Sequence, residues 1–390
     1  MLEAIGGAGV ETWDNGEDRT RSVGKKDVGE KDKERKMLFR SLYGRSPRGA
    51  LRLAVLVLAV IVLSVTHSGF AAEVKLRLDP MKVKGPDECA ECHKTSVAAW
   101  KASRHATTFK TLPRSADAKK IAKAMGIRRI KSKSACLTCH FTSALSKKKK
   151  KKVKPIAGIT CESCHGASAD WINVHSDFGV KGKSMDEAAK LETPEHKAER
   201  YKKAEAGGMI RPVYLYAVAN NCYECHTVPD EKLVNVGGHT PGGDFELVSW
   251  SQGEVRHNVW YSKTNKEASA ERKRMMYIVG RALDLEFALR GVAKATQKAT
   301  YAVSMAKRAS AARKAMKKIA AAVKTPEIEA IVAAGGAVKL KLNNAANLTA
   351  AADKISAAAE KFSGAHDGSK FAAIDALVPG PDKYKGKPAP

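Results

Sequence analysis

The sequence predicts a mainly α-helical protein in two unlike parts. Residues 72–265 read as short helices and long loops wrapped around bound groups, and residues 266–378 read as an α-helical bundle. Three observations predict this. All eight cysteines lie between residues 89 and 225, in four copies of a Cys-x-x-Cys-His motif. The same region has few apolar runs from which to build a core of its own. After Asn265 cysteine disappears, alanine and lysine dominate, and apolar residues recur at helical spacing. A length of 390 residues suits two or three domains.

Residues 1–71 read as a presequence. Leu53 to Leu63 is an unbroken apolar run, preceded by Arg40, Arg45, Arg48 and Arg52 and followed by Gly69-Phe70-Ala71-Ala72. A basic segment, an apolar segment and a small-x-small end make a secretory signal. The run is short for a membrane span, which needs about 20 apolar residues. Cleavage after Ala71 or Ala72 is therefore expected, with membrane association only if the segment is retained. The polar stretch before Met37 is long for a signal, so Met37 is a candidate start.

The four motifs are Cys89-Ala-Glu-Cys92-His93, Cys136-Leu-Thr-Cys139-His140, Cys161-Glu-Ser-Cys164-His165 and Cys222-Tyr-Glu-Cys225-His226. This spacing is the attachment signature of c-type haem. Two thiols form thioethers to the porphyrin edge, and the next residue reaches the iron through an imidazole nitrogen. The expected cofactors are four covalently bound c haems, with His93, His140, His165 and His226 as one axial ligand each. Zinc ribbons also pair cysteines, but zinc does not require a histidine after each second cysteine. Disulfides are a poorer reading, since no cysteine is left over to link distant segments. Haem is attached outside the cytoplasm in bacteria, so the motifs and the signal together indicate the periplasm.

The opposite face of each iron needs a second ligand or stays open. Outside the motifs and the presequence lie His105, His175, His196, His239, His257 and His366. The order motif, tryptophan, histidine occurs twice: Trp100 and His105 follow His93, and Trp171 and His175 follow His165. His105 and His175 are therefore the first candidates for distal ligands, with each tryptophan packed near a porphyrin. His239, beside Gly237 and Gly238, and His257 come next, because glycine permits close backbone approach to a ring. His196 reads as the first turn of an exposed helix. His366 reads as solvent-facing in a glycine-rich turn. Met209, Met275 and Met276 are more simply core residues than ligands. Lys154 to Thr160, with the segment after His140, is expected to form a small hairpin.

Within the C-terminal part, Ile278, Ala282, Leu285, Leu289 and Val292 form a core-facing stripe. Thr325-Pro326-Glu327 opens another helix with an N-cap, a first-turn proline and an acid matched to the helix dipole. Asn347 to Phe362 predicts a further amphipathic helix, ended by Gly364. Residues 379–390 are expected to be a flexible tail.

The strings CAECHKTSVAAWKASRH at Cys89–His105 and GITCESCHGASADWINVH at Gly158–His175 resemble the tetrahaem cytochromes c of the c-554 type. The resemblance covers Cys89 to His257, about half the chain. It implies a multihaem cytochrome c domain, His105 and His175 as distal ligands, and haems stacked closely enough for rapid electron tunnelling. In that family one haem can be five-coordinate, at the motif corresponding here to His140. Two features depart from it: His239 and His257 supply enough imidazoles for every iron, and the helices after Asn265 have no counterpart.

The function expected is a periplasmic carrier relaying single electrons between protein redox partners. The alternative is an enzyme acting on a small nitrogen compound such as nitric oxide, hydroxylamine or nitrite at one open iron. The formal charge of +28 favours partners with an acidic docking surface. An exported protein has little occasion to meet nucleic acid. The run Lys147–Lys152 reads as a solvated loop tip, or as part of a docking patch.

Overall fold

The computed structural model describes residues 76–146, 152–259 and 264–390. The presequence with its apolar segment, and all of the lysine run but Lys152, lie outside the described residues. The chain is mainly helical, as expected. In the first part the helices are α1 (Pro86–Ala90), α2 (Lys94–Ala102), α3 (Arg104–Thr111), α4 (Ala116–Ala124), α5 (Cys136–His140) and α6 (Glu162–His165). They are followed by α7 (Met185–Leu191), α8 (Pro194–Ala206), α9 (Leu215–His226), α10 (Glu231–Asn235) and α11 (Leu247–Ser251). Most span only one to three turns.

Strands β1 (Thr142–Leu145) and β2 (Val153–Ala157) pair antiparallel, with Leu145 opposite Val153 and an irregularity after Thr142. The expected hairpin is present. It directly follows the second motif and leads into the third.

Four helices follow, all but α14 longer than any before them: α12 (Ala270–Lys294), α13 (Thr300–Ala322), α14 (Pro326–Ala337) and α15 (Ala345–Ala365). On α12 the residues Ile278, Ala282, Leu285, Leu289 and Val292 are all buried, as their spacing requires. Against this stripe pack Met305, Met316 and Ile319 of α13, Ile328 and Ile331 of α14, and Leu348, Ile355 and Phe362 of α15. Thr325 caps α14 by accepting from the Ile328 N–H. Gly335 of α14 allows close approach, because a Cβ there would lie 2.6 Å from Leu285 Cδ2.

The same apolar core takes in Leu215, Ala219 and Tyr223 of α9 and Leu247 and Val248 of α11. The helix that carries the fourth motif is thus packed on α12 and α15. The first three motifs have only a small apolar cluster nearby: Ala122, Ile130, Leu137 and Phe141.

The C-terminal residues differ from expectation. Rather than fraying, they lie along the 249–267 segment. Lys385 N–H donates to Ser249 O (2.9 Å), Glu254 N–H donates to Lys385 O (3.0 Å), and Tyr384 Oη donates to Glu267 (2.8 Å). Backbone pairing holds this segment, which a reading of its apolar content could not reveal. His366 differs too. Its ring packs on Phe362 and Phe371, and Nε2 points to Glu327 at 3.6 Å.

Leu285→Ala is expected to destabilise the chain by about 2–5 kcal/mol in a denaturant titration, because the facing Gly335 cannot fill the cavity.

Candidate functional site

Each motif forms a helical turn, which brings positions i, i+3 and i+4 to one face. The Cys89 carbonyl accepts from His93 N–H (2.9 Å), and Cys161 O from His165 N–H (2.8 Å). None of the eight cysteines forms a disulfide. Among the described residues, no three His, Cys, Asp or Glu side chains converge on a single-ion site.

Every motif histidine faces one of the four candidate distal histidines. The ring centroids are 6.3 Å apart for His93 and His175, 6.2 Å for His226 and His105, 6.3 Å for His140 and His239, and 6.4 Å for His165 and His257. Interplanar angles run from 18° through 43° and 51° to 88°. Rings in direct contact change their separation as they tilt. These do not. A constant separation with variable twist is the signature of a linear spacer, since rotation about a nitrogen–metal–nitrogen axis leaves the centroids in place. The gap is one that a single metal ion bound by both rings, at about 2 Å from each nitrogen, would fill. The donor set therefore fits a bis-histidine haem iron at each motif.

The pairing is interlaced. His175 follows the third motif but faces the first, and His105 follows the first but faces the fourth. His239 and His257 both follow the fourth motif but face the second and third. His196 takes no part: as expected it opens α8, with Nδ1 2.8 Å from Glu192.

Second partners orient these rings. Nδ1 of His165, His175, His239 and His257 lies 2.6–2.9 Å from the carbonyls of Ile210, Ile172, Thr240 and Val255. A carbonyl only accepts, so Nδ1 carries the proton and the Nε2 lone pair is free for a metal. Burial pushes the imidazoles of His93, His105, His165 and His175 down, and those of His140 and His226 down to about 4. These rings are neutral at pH 7, the ligating form.

The tryptophans of the repeat do different jobs. Trp171 packs edge-on against His175 at 5.1 Å, whereas Trp100 donates from Nε1 to Ile159 O (2.6 Å), tying α2 to the approach to the third motif. His175 is also held through its carbonyl by Arg200, which is clamped by both oxygens of buried Glu192 at 2.6 Å.

Three positioning residues escape a reading by motif. Glu162, inside the third motif, is buried and accepts from Lys84 N–H (3.0 Å), Gly85 N–H (2.8 Å), Ser168 N–H (2.9 Å) and Ser168 Oγ (2.6 Å). It joins the segment before the first motif to the third. Gly166, with φ +88°, lies so close to Gly208 O that a Cβ would be 2.0 Å from it, which explains the glycine after His165. Arg77 donates to Glu224 (2.7 Å) and Asn221 (2.8 Å), and Asn221 donates to Cys164 O (3.1 Å). Arg77 and Asn221 thus tie the third motif to the fourth, and the helical turn of the third packs against α9, which carries the fourth.

Comparison with known proteins agrees with this geometry. Residues 88–166 match the family described as cytochrome c554 and c-prime. Cytochrome c-554 of Nitrosomonas europaea is 28% identical over 112 residues, 27% of this chain and 46% of that protein. The chain thus spans about half the length of the curated relative it matches. No solved structure matches. The family is one of c-type cytochromes, electron-transfer proteins with covalently bound haem. The match covers the first three motifs and ends before the fourth, His226, and before His239 and His257. Among the described residues, no helix is long and apolar enough to cross a membrane.

Glu162→Ala is expected to leave four buried donors without an acceptor and to lower stability by about 2–4 kcal/mol, read by denaturant titration of the purified protein.

Proposed function

We propose that this chain is a periplasmic tetrahaem c-type cytochrome that relays single electrons between protein redox partners. The observation that carries the reading is the common 6.2–6.4 Å separation of four opposed histidine pairs at four twist angles. Cys89 and Cys92, Cys136 and Cys139, Cys161 and Cys164, and Cys222 and Cys225 would each tether one haem c. The axial pairs would be His93 with His175, His140 with His239, His165 with His257, and His226 with His105. Bound there, haem supplies a one-electron iron couple. The protein's part is to hold the Nδ1 proton of His165, His175, His239 and His257 on backbone carbonyls, to present Nε2, and to fill both axial positions so that no small molecule reaches the metal. His239 opposite His140 weighs against an open iron at the second motif, and so against the enzyme reading. The link between the third and fourth motifs through Arg77 and Asn221 supports electron exchange between neighbouring sites.

Purified protein is expected to give about four haems per chain in a pyridine haemochrome assay, with only low-spin ferric signals and no spectral change with cyanide. His239→Ala is expected to convert one signal of the four to high spin and to admit cyanide there. A high-spin signal in the unmodified protein would overturn the carrier reading.

An acidic partner surface fits the outer face of α13. Lys307, Lys314 and Lys318 lie along one stripe, opposite the buried Tyr301, Met305, Ala309, Ala312, Met316 and Ile319. No carboxylate occurs between Glu286 and Glu327. Reduction by a small acidic redox protein, with reduced plant-type ferredoxin as the probe, is expected to slow roughly tenfold as salt rises from about 10 mM to about 150 mM. The Lys307→Glu, Lys314→Glu, Lys318→Glu triple variant should already be slow at low salt. A rate indifferent to both changes would sink this docking face.

A further inference from the structure

We propose that Arg308, on α13 of the C-terminal helices, is a positioning residue for His226: it clamps the loop whose Phe245 and Trp250 hold that imidazole from behind. The inference rests on the tetrahaem reading and assigns the C-terminal helices a part in the fourth site.

The argument begins at the motif. Tyr223, the residue after Cys222, is fully buried in the core shared with α12. Its ring meets Phe245 edge-on at 5.0 Å and lies 6.0 Å from Phe287 of α12. Gly280 of α12 makes the room, since a Cβ there would lie 3.2 Å from Tyr223 Oη. Among the described residues that hydroxyl has no hydrogen-bond partner, so its place is fixed by packing alone. The fourth motif is therefore keyed into α12 through its own central residue.

The wall behind His226 comes from the 242–250 segment. Phe245 stacks on the imidazole at 4.4 Å and 15°, and Trp250 meets it at 5.0 Å and 60°. Such a wall orients the ring only if the loop carrying it is fixed. Gly242 sits directly against the His226 carbonyl, where any Cβ would collide. Its own carbonyl accepts from Arg308 Nη1, and the Phe245 carbonyl accepts from Arg308 Nη2 at 3.4 Å.

Arg308 is in turn immobilised. Its side chain is 8% exposed and its partner Asp284 of α12 is 7% exposed. Nε and Nη2 of Arg308 both donate to Asp284 Oδ1, the Nε bond at 2.8 Å, and Arg281 Nη1 donates to Asp284 Oδ2 at 3.1 Å. Arg281 also approaches Glu246 at 3.8 Å, next to Phe245. A buried ion pair is a poor source of net stability but a strong geometric restraint, because neither charge can move without losing its partner. The planar guanidinium suits a task in which one group must hold a carboxylate and two carbonyls together. The first site has a parallel: there Arg200, clamped by Glu192, holds the backbone of His175.

The test uses the full haem-loaded protein and follows two readouts besides haem content: the ferric low-spin resonance signals and the stepwise redox titration. The signal of the fourth site is the one that His105→Met alters. Arg308→Met is expected to keep four haems, and to shift that signal and one of four midpoints while the other three stay. Phe245→Leu should move the same signal, and Arg308→Lys should restore it in part. Arg308→Met with Asp284→Leu removes both charges, and so guards against simple misfolding around an unpaired carboxylate; the same signal should still be displaced. Four unchanged signals in both Arg308→Met proteins would overturn the clamp, as would a uniform change in all four. Fewer than four haems in the unmodified chain would instead sink the tetrahaem reading, and this inference with it.

Discussion

The constraint on which the rest of this structure depends is a line: in each of four histidine pairs two imidazoles face each other across a gap that one metal ion bound by both would fill. Each line joins segments far apart in sequence, from His93 to His175 and from His105 to His226. Side chains alone cannot hold such lines, because a histidine on a mobile loop samples many directions. The surrounding chemistry is correspondingly rigid. Carbonyls fix four of the rings at Nδ1, and glycines at 166 and 242 let backbones touch where any side chain would intervene. A buried carboxylate at Glu162 gathers four donors around the third motif.

Interlacing gives these restraints a further meaning. If each motif drew its second histidine from its own repeat, the sites would be independent, and one could form without the next. Here the first motif depends on residues after the third, and the fourth on residues after the first. The small apolar cluster around Ile130 and Phe141 cannot by itself order so many loops. The large core lies elsewhere, with α9 reaching into it.

Much of this was legible in the residues. The motifs are local and their spacing is dictated by covalent chemistry. The stripe on α12 and the Thr325 cap follow from helix geometry that acts within a few residues. The hairpin after His140 was legible in the composition of Lys154 to Thr160, although the lysine run before it is no turn signal. The eight histidines brought face to face were all identifiable as candidates, because few others remain in the chain. Which faces which was not legible. Pairing depends on chain crossing over many tens of residues, and no local pattern distinguishes His175 opposite His93 from His175 opposite its own His165. The C-terminal residues were misread for a related reason: Lys385 and Ala389 are held by backbone and side-chain bonds to 249–265, and backbone groups are the same in every sequence. His366 was misread because its neighbours Phe371 and Glu327 come from separate segments.

The C-terminal helices can then be understood without treating them as an appendage. The match to the c-554 family ends at residue 166, before the fourth motif. Beyond it, the fourth site is packed against the C-terminal helices. Tyr223 stands between the cysteines of that motif, where the third has Glu162; Glu162 is hydrogen-bonded to its surroundings, whereas Tyr223 is sunk in hydrocarbon. A carboxylate inside a motif demands donors from nearby loops, and the third motif finds them at Lys84, Gly85 and Ser168. A buried tyrosine demands a cavity of matching shape, which short loops cannot supply but a helix with glycine at 280 can. The identity of one residue inside each motif therefore dictates what must surround it: a polar strap in one case, four long helices in the other.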